Sequence, residues 1–361
     1  MEKLGMNGFW RGRRVFLTGH TGFKGAWTAL WLQAAGAEVT GFALAPEGDD
    51  NLYTSLSPAP CAHSVLADLR DADAVGGAIA RARPEIVLHL GAQAIVRRAY
   101  RDPVESFATN VMGTVHVLDA AAKQPEARAI LVVTSDKVYA NDDSARAVRE
   151  DDPLGGSDPY SASKSAAEMV AASWRKSFLS HDGAAALGVA RAGNVIGGGD
   201  WGADRLLPDV IRAGRRGEAV ALRSPQATRP WQHVLDVVAG YLAYAECLAT
   251  GSAPAALNFG PMSDASFTVA QMVEALQAAS GWKTGWPMQP GEHPPEKTFL
   301  SVDPSLAMAT LNWSPRLDLR AGIALVAAWH RAYDNGVDMR AVSLKQIADY
   351  QAMAAPPGGV P

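Results

Sequence analysis

Arg14-Val-Phe-Leu-Thr-Gly19-His-Thr-Gly22-Phe-Lys-Gly25-Ala-Trp-Thr-Ala-Leu-Trp-Leu-Gln-Ala-Ala-Gly36 decides how the rest of the chain is read. Arg14–Thr18 is a short apolar run of the kind buried inside a parallel sheet. A glycine turn follows, then an apolar helical pattern from Ala26 to Ala35 that Gly36 ends in the usual C-terminal way. Glycines between a strand and a helix permit a tight bend and let a pyrophosphate approach backbone N–H groups at the helix N-terminus. Three glycines alone are a weak signal. Their place after a strand and before a helix is what points to dinucleotide binding, through Gly19, Thr21, Gly22, Phe23, Lys24 and Gly25.

Outward from this turn the same alternation continues. Glu38–Phe42, Ser64–Leu66, Ile86–Leu90, Ala129–Val133 and Ala186–Ala190 read as strands. Asp71–Arg83, Asp102 to about Lys123 (opened by an Asp-Pro cap signal) and Pro159–Phe178 read as helices between them. The expected fold class is α/β, a Rossmann-type doubly wound parallel sheet. After about Gly197 the pattern becomes irregular, with a short helix Leu206–Ala213, a short strand Ala219–Leu222, a helix Val234–Ala249, a strand-like Leu257–Gly260 and a helix Val269–Ala279. The expected division is a dinucleotide-binding domain over 9–195 and a smaller C-terminal α/β substrate lobe over 196–350, some of whose segments return to the main sheet. A disordered tail with Pro-Pro-Gly-Gly is expected over 351–361. Open α/β sheets bind ligands at the C-terminal edge of their strands, which such a lobe would cover.

Composition narrows the function class. The 361 residues suffice for a large core, 48% are hydrophobic, and the formal net charge is -4 with no basic run, which argues against a nucleic-acid partner. Cys61 and Cys247 stand far apart and form neither a metal nor a disulfide pattern, which suits a reducing cytoplasm. Met1–Gly8 has no apolar core of a signal peptide, and no stretch is apolar for long enough to span a bilayer, so a cytoplasmic location is expected.

Two runs carry chemistry. Thr134-Ser135-Asp136-Lys137-Val138-Tyr139 places a hydroxyl, a carboxylate and an ammonium directly after a strand. Tyr160-Ser-Ala-Ser-Lys164 places a phenol and an ammonium four residues apart, on one face of a helix. A nearby ammonium and an oxidised nicotinamide ring would lower the phenol's pKa toward the working pH, so that it removes a hydroxyl proton while hydride leaves the same carbon. Strand alternation lets only one of Thr134 and Ser135 face the substrate, and Ser135 is taken as that one. The end of the second strand, Thr40–Ala43, offers neither the acid of a NAD site nor an arginine, which leaves NAD and NADP both open. Asp68-Leu69-Arg70 either holds the adenine or caps a helix. Arg191–Asn194 ends a strand where polar groups can face a ligand, and Arg205, Arg229 and His233 lie in lobe segments where cations could bind a diphosphate.

On Gly19-x-x-Gly22-x-x-Gly25, Tyr160-x-x-x-Lys164 and Ser135-Asp136-Lys137, the chain resembles the extended short-chain dehydrogenase/reductase family from about Phe9 to Tyr350. Within it the chain looks like the nucleotide-sugar 4,6-dehydratases, the branch acting on CDP-glucose above all. Thr18–Gly25, Thr134–Lys137, Arg191-Ala-Gly-Asn-Val-Ile-Gly-Gly-Gly-Asp-Trp201 and Ala227-Thr-Arg-Pro-Trp-Gln-His233 carry that likeness. The pair Asp136-Lys137 stands where dTDP-glucose and GDP-mannose relatives carry an acid pair, and epimerases of the family lack the acid at the Asp136 position. Gly91 replaces a usual alanine and Val138 a common cysteine.

The resemblance implies NAD as cofactor, held also by Asp68, Leu69, Leu90, Ala92, Gln93 and Asn110, and CDP-glucose contacts from Gln93, Asn194, Arg205, Arg229 and His233. It implies an internal redox cycle. Tyr160, with Lys164 and Ser135, oxidises C4 of the sugar; Lys137 removes the C5 proton; Asp136 protonates the leaving C6 hydroxyl. The product would be a 4-keto-6-deoxy sugar nucleotide, of the kind that feeds lipopolysaccharide and other glycans in bacteria. The resemblance also implies a homodimer or dimer of dimers through the helices 102–123 and 159–178. A dehydratase or epimerase for another nucleotide sugar, or a non-catalytic dinucleotide-binding protein on the same fold, remain as alternatives.

Overall fold

β1 (Arg14–Thr18) and β2 (Glu38–Ala43) pair in parallel, with Val15 opposite Val39 and Leu17 opposite Gly41. The sequence continues through β3 (His63–Leu66), β4 (Ile86–His89), β5 (Ala129–Val133) and β6 (Ala186–Ala192), then the short β7 (Val195–Ile196), β8 (Thr228–Arg229) and β9 (Gln232–His233), and finally β10 (Ala256–Phe259) and β11 (Phe267–Thr268). In this computed structural model, which describes residues 8–48, 50–140, 146–262, 267–288 and 301–353, a seven-stranded sheet has the order β10-β6-β5-β4-β1-β2-β3. Every pairing in it is parallel. Strand order reverses between β1 and β4, which opens a crevice beyond their C-terminal ends.

The helices are α1 (Phe23–Ala34), α2 (Leu52–Ser55), α3 (Ala72–Ala82), α4 (Val96–Arg101), α5 (Pro103–Phe107), α6 (Gly113–Ala122), α7 (Pro159–Ser177), α8 (Leu206–Arg216), α9 (Val234–Thr250), α10 (Val269–Ser280), α11 (Ser305–Leu311), α12 (Leu319–Asp334) and α13 (Met339–Ala352). Alternate residues of each strand feed opposite layers. Val15 and Leu17 pack with Trp27, Leu30, Val238, Tyr241 and Tyr350, whereas Phe16 packs with Val75, Ile79, Val117, Leu118 and Ala171. The core strands are therefore apolar throughout, as the runs of Val, Ile and Leu anticipate. A separate core joins Val210, Ile211, Trp231, Met272, Val273 and Ile323 beyond β7.

The strand expected over 219–222 is not formed; only Leu222 makes an isolated bridge, to Met288. The helix expected from Asp102 to Lys123 is broken by one π-helical turn, Ala108–Met112, between α5 and α6. α11, α12 and α13, which carry no assignment above, pack against the main sheet and the second core, and α13 extends helix into the tail as far as Ala352. Residues 354–361, where disorder is expected, lie outside the described residues. Among the described residues no helix is long and apolar enough to cross a membrane, and no group of His, Cys, Asp and Glu is placed to hold a metal ion.

Candidate active site

The glycine turn after β1 is built so that its backbone can approach the crevice closely. Gly19 has φ +78°, and a Cβ on Gly25 would lie 2.0 Å from the Gly19 carbonyl oxygen. Gly19 also sits against the loop after β4: its own Cβ would stand 2.8 Å from the Gly91 nitrogen. A Cβ on Gly91 would in turn stand 2.7 Å from Leu69 Cδ1, the end of a side chain that would have to shift. The N-cap of α1 is Gly22, which has no side-chain cap, and the first turn carries no acid. Its N–H groups and the positive end of the helix dipole are left for an anion, a cradle that fits the diphosphate of a dinucleotide.

Side chains around the turn mostly fix it in place. The Thr21 hydroxyl donates to the Leu44 carbonyl (2.9 Å). Gly41 makes room for His20, whose ring a Cβ would approach to 2.4 Å. The His20 Nε2 lies 2.7 Å from Ser64 Oγ, and burial pushes its pKa down to about 4, so the ring is neutral. Asp68 is held by Arg70 (2.6 Å), which lowers its pKa, and the cap of α3 is instead Asp71, accepting from the Ala74 N–H at 2.9 Å. The carboxylate of Asp68 is thus engaged by a neighbour rather than capping, and Leu69 is buried.

The loop carrying Leu90, Ala92 and Gln93 is locked to the catalytic helix by Asn110. Its side chain accepts from the Gln93 N–H (2.8 Å) and donates to the Gln93 carbonyl (3.0 Å) and to Ser163 Oγ (2.9 Å). Asn110 sits in the π turn, a distortion that re-aims side chains and recurs at functional sites. The Gln93 amide donates to Ser106 Oγ (2.8 Å) and accepts from the Ile95 N–H (2.6 Å). Both amides, expected to contact ligand, are engaged inside the protein, because loop, π turn and α7 meet there.

At the end of β5 the alternation resolves as expected. Thr134 turns inward and donates to Glu168 (2.7 Å), while Ser135 donates to Asp136 Oδ1 (2.9 Å) and accepts from the Lys137 N–H (3.2 Å). Asp136 is 1% exposed, and its Oδ2 has no hydrogen-bond partner among the described residues. Burial raises its pKa, against the opposing pull of Lys137, Ser135, Arg229 and Lys24. On α7, whose cap Asp158 accepts from the Ser161 N–H (3.0 Å), Tyr160 and Lys164 are both buried. Lys164 Nζ donates to the Val133 carbonyl (3.1 Å), and burial together with the Lys24 charge pushes its pKa down to about 7. Lys137 Nζ lies 5.9 Å from the centroid of the Tyr160 ring. Ser135, Asp136, Lys137, Tyr160 and Lys164 therefore form one cluster.

The phenol departs from expectation in one respect. Burial raises the Tyr160 pKa to about 12, with only the Ser135 hydroxyl and the Arg205 charge working against it. Lys164 hydrogen-bonds a backbone carbonyl, so its charge does not offset the phenol's loss of water in the protein alone.

The second half of the chain contributes less uniformly. Arg205, at the N-terminus of α8, pairs with Asp200 (3.0 Å) and acts electrostatically on Tyr160. Arg229 donates to the Thr228 carbonyl (2.8 Å) and lowers the Asp136 pKa. His233 is not the expected cation: it is 2% exposed, burial holds its pKa down to about 3, and its Nδ1 accepts from the Leu235 N–H at the start of α9. Asn194 joins β7 to β9 through its carbonyl, which accepts from the Gln232 N–H (3.0 Å). Arg191 does not face the crevice either. It forms a buried pair with Glu168 (2.6 Å) and donates to the Tyr139 hydroxyl (2.7 Å). Glu168, Asp200 and Tyr241 escape the sequence reading. Glu168 stands one helical turn after Lys164, a spacing that could have marked it, whereas Tyr241 lies in an apolar helix that reads only as core.

The model of the NAD dependent epimerase/dehydratase family matches residues 15–260. The chain is 41% identical over 350 residues to the CDP-glucose 4,6-dehydratase of Salmonella typhimurium, covering 95% of this chain and 98% of that one. Among solved structures, MoeE5 in complex with UDP-glucose and NAD superposes with a TM-score of 0.75 at 25% identity, over 88% of this chain and 99% of that one. The UDP-glucose 4-epimerase of Stenotrophomonas maltophila, with bound NAD and formylated UDP-arabinopyranose, superposes with a TM-score of 0.79 at 20% identity, over 90% of this chain and 100% of that one.

Proposed function

The chain belongs to the NAD dependent epimerase/dehydratase family, and on that premise we propose that it converts CDP-glucose to CDP-4-keto-6-deoxy-glucose and water. The observation that carries the dehydration is Asp136, a buried carboxyl with raised pKa and one unpartnered oxygen beside Ser135 and Tyr160. A buried carboxyl whose pKa is raised holds its proton more readily than an exposed one, which suits a proton donor for a leaving hydroxyl.

NAD, when bound, supplies a hydride acceptor for C4 of the sugar and returns the same hydride at C6. Tyr160 takes the proton of the C4 hydroxyl, and Ser135 hydrogen-bonds the C4 oxygen. Lys164, held by the Val133 carbonyl, sets the charge beneath the phenol. The C4 ketone acidifies the C5 proton, which Lys137 removes; Asp136 protonates the C6 hydroxyl as it departs as water. Arg205 and Arg229, which act on Tyr160 and Asp136 respectively, also offer charge to the nucleotide diphosphate. The segment after residue 195, with Asn194 just ahead of it, would cover the sugar. The 4-keto-6-deoxy product is an intermediate for glycan building, bacterial lipopolysaccharide among them.

The test is incubation of the purified protein with CDP-, dTDP-, GDP- and UDP-linked hexoses, with and without NAD, followed by the alkali-induced absorbance of a 4-keto-6-deoxy sugar. Turnover of CDP-glucose is expected. A keto product from another nucleotide overturns the base, and none from any donor overturns dehydration.

The apolar residues Val104 (77% exposed), Phe107, Met112 and Met169 (68% exposed) on α5, the π turn and α7 support a homodimer that pairs these helices with their copies. A monomeric mass by sedimentation would rule it out.

A further inference from the structure

Lys24 is the one residue of the glycine turn whose side chain reaches the catalytic cluster. It lies in the first turn of α1, and its Nζ is 5.9 Å from the centroid of the Tyr241 ring on α9. Its ammonium makes no hydrogen bond and no ion pair among the described residues. Its charge nevertheless acts on Lys164 and Asp136, and it feels Arg205 and Asp200. The ammonium therefore spans the gap between the diphosphate cradle and Tyr160. Beside it the Tyr241 hydroxyl is buried without a partner. The neighbouring charges do not cancel. Asp200 is taken by Arg205, and Asp136 is driven toward its neutral form. That leaves two lysines with no carboxylate bonded to them: Lys24, whose pKa burial lowers to about 8 and which is the more fully charged at neutral pH, and Lys164, lowered to about 7.

A dinucleotide with its diphosphate at the start of α1 and its reactive carbon near Tyr160 must lay its nicotinamide along this same gap. The oxidised ring carries a positive charge and the reduced ring carries none. We propose that Lys24 sets the balance between the two cofactor states, disfavouring the cationic oxidised nicotinamide and favouring the neutral reduced one. This rests on the NAD reading above and deepens it. In a cycle whose cofactor is reduced first and reoxidised last, the bias eases removal of hydride from C4. It also holds the reduced state while water is lost. Tyr241 supports the device: its ring face receives the ammonium.

Dissociation constants for NAD+ and NADH, measured by fluorescence titration of the full chain without sugar, test it. The ratio of the two constants should favour NADH in the native protein. Lys24→Met keeps the length and removes the charge, and should shift the ratio toward NAD+ by about tenfold, the scale expected for like charges a short distance apart in a partly buried site. That shift equals a fall of about 30 mV in the potential of the bound two-electron couple. Lys24→Arg should keep the native ratio, which separates charge from packing. A ratio unchanged in Lys24→Met, with both cofactors still bound, overturns the role of Lys24 alone. Failure of the native protein to bind either cofactor overturns the NAD reading with it.

Discussion

Gly193 is what gives the Asp136 carboxyl its space: a Cβ at position 193 would stand 3.0 Å from Asp136 Oδ2 and 2.8 Å from the Pro230 ring. A side chain there would press on the oxygen that has no partner. Gly193 and Pro230 thus pack closely against the acid, which is 1% exposed, and that burial raises its pKa.

Asp136→Asn preserves shape and removes the proton. Oxidation at C4 should survive while loss of water slows by about a hundredfold or more. With CDP-glucose the variant should accumulate reduced cofactor, seen by its absorbance, together with the 4-keto sugar that still carries its C6 hydroxyl, and yield little 4-keto-6-deoxy product. Dehydration at the native rate would remove Asp136 from the role of acid.

Glu168→Gln leaves Arg191 buried without its counter-ion. Breaking one side of such a pair costs about 3–5 kcal/mol, and the amide leaves one acceptor oxygen where Thr134 and Arg191 now share two. Urea unfolding should show this fall in stability. A change under about 1 kcal/mol would mean that the network with Tyr139 is not closed in solution.

Lys164 gives the stability a pH slope with a defined sign. Its folded pKa is about 7, below the ordinary 10.5. Between these values the unfolded chain holds the proton and the folded chain does not, so this residue makes stability rise with pH from about 7. Below about 7 both states are protonated, and burial of the charge is penalised in full. Lys164→Met should be flatter than the native protein between pH 7 and 9 when unfolding is followed across that range. Parallel slopes would show that the ammonium keeps its charge when buried.

Gly25→Ala puts a methyl group 2.0 Å from the Gly19 carbonyl oxygen. The turn must open to accept it, and NAD affinity should fall by at least tenfold while far-UV circular dichroism stays native. Unchanged affinity would mean that the dinucleotide does not use this cradle.

Much of this arrangement is legible in the sequence because it is local. The run Arg14–Gly36 encodes strand, turn and helix through burial and glycine spacing. Tyr160 and Lys164 fall on one helix face for the same reason that any residues four apart do. What the sequence does not display is set by contacts between distant segments. His233 reads as a loop cation but folds into a buried helix cap. Gln93 and Asn110 bond to each other, and Arg191 turns inward to Glu168. Tyr160 looks poised to ionise, yet burial by elements from both halves of the chain raises its pKa. No residue pattern signals Tyr241, since only the crossing of α1 and α9 brings its ring beneath Lys24.

β10 pairs in parallel with β6, so the outermost strand of the main sheet is supplied by residues 256–259. During synthesis the first half of the chain emerges with β6 as a bare edge, and with the apolar face that α9 will cover still wet. Such an edge is a template for pairing with other chains until its own partner arrives. The cofactor-binding half is therefore not a transplantable module: cut after residue 195, it is expected to go into inclusion bodies, whereas a cut placed beyond β10 leaves every strand of the sheet its neighbour.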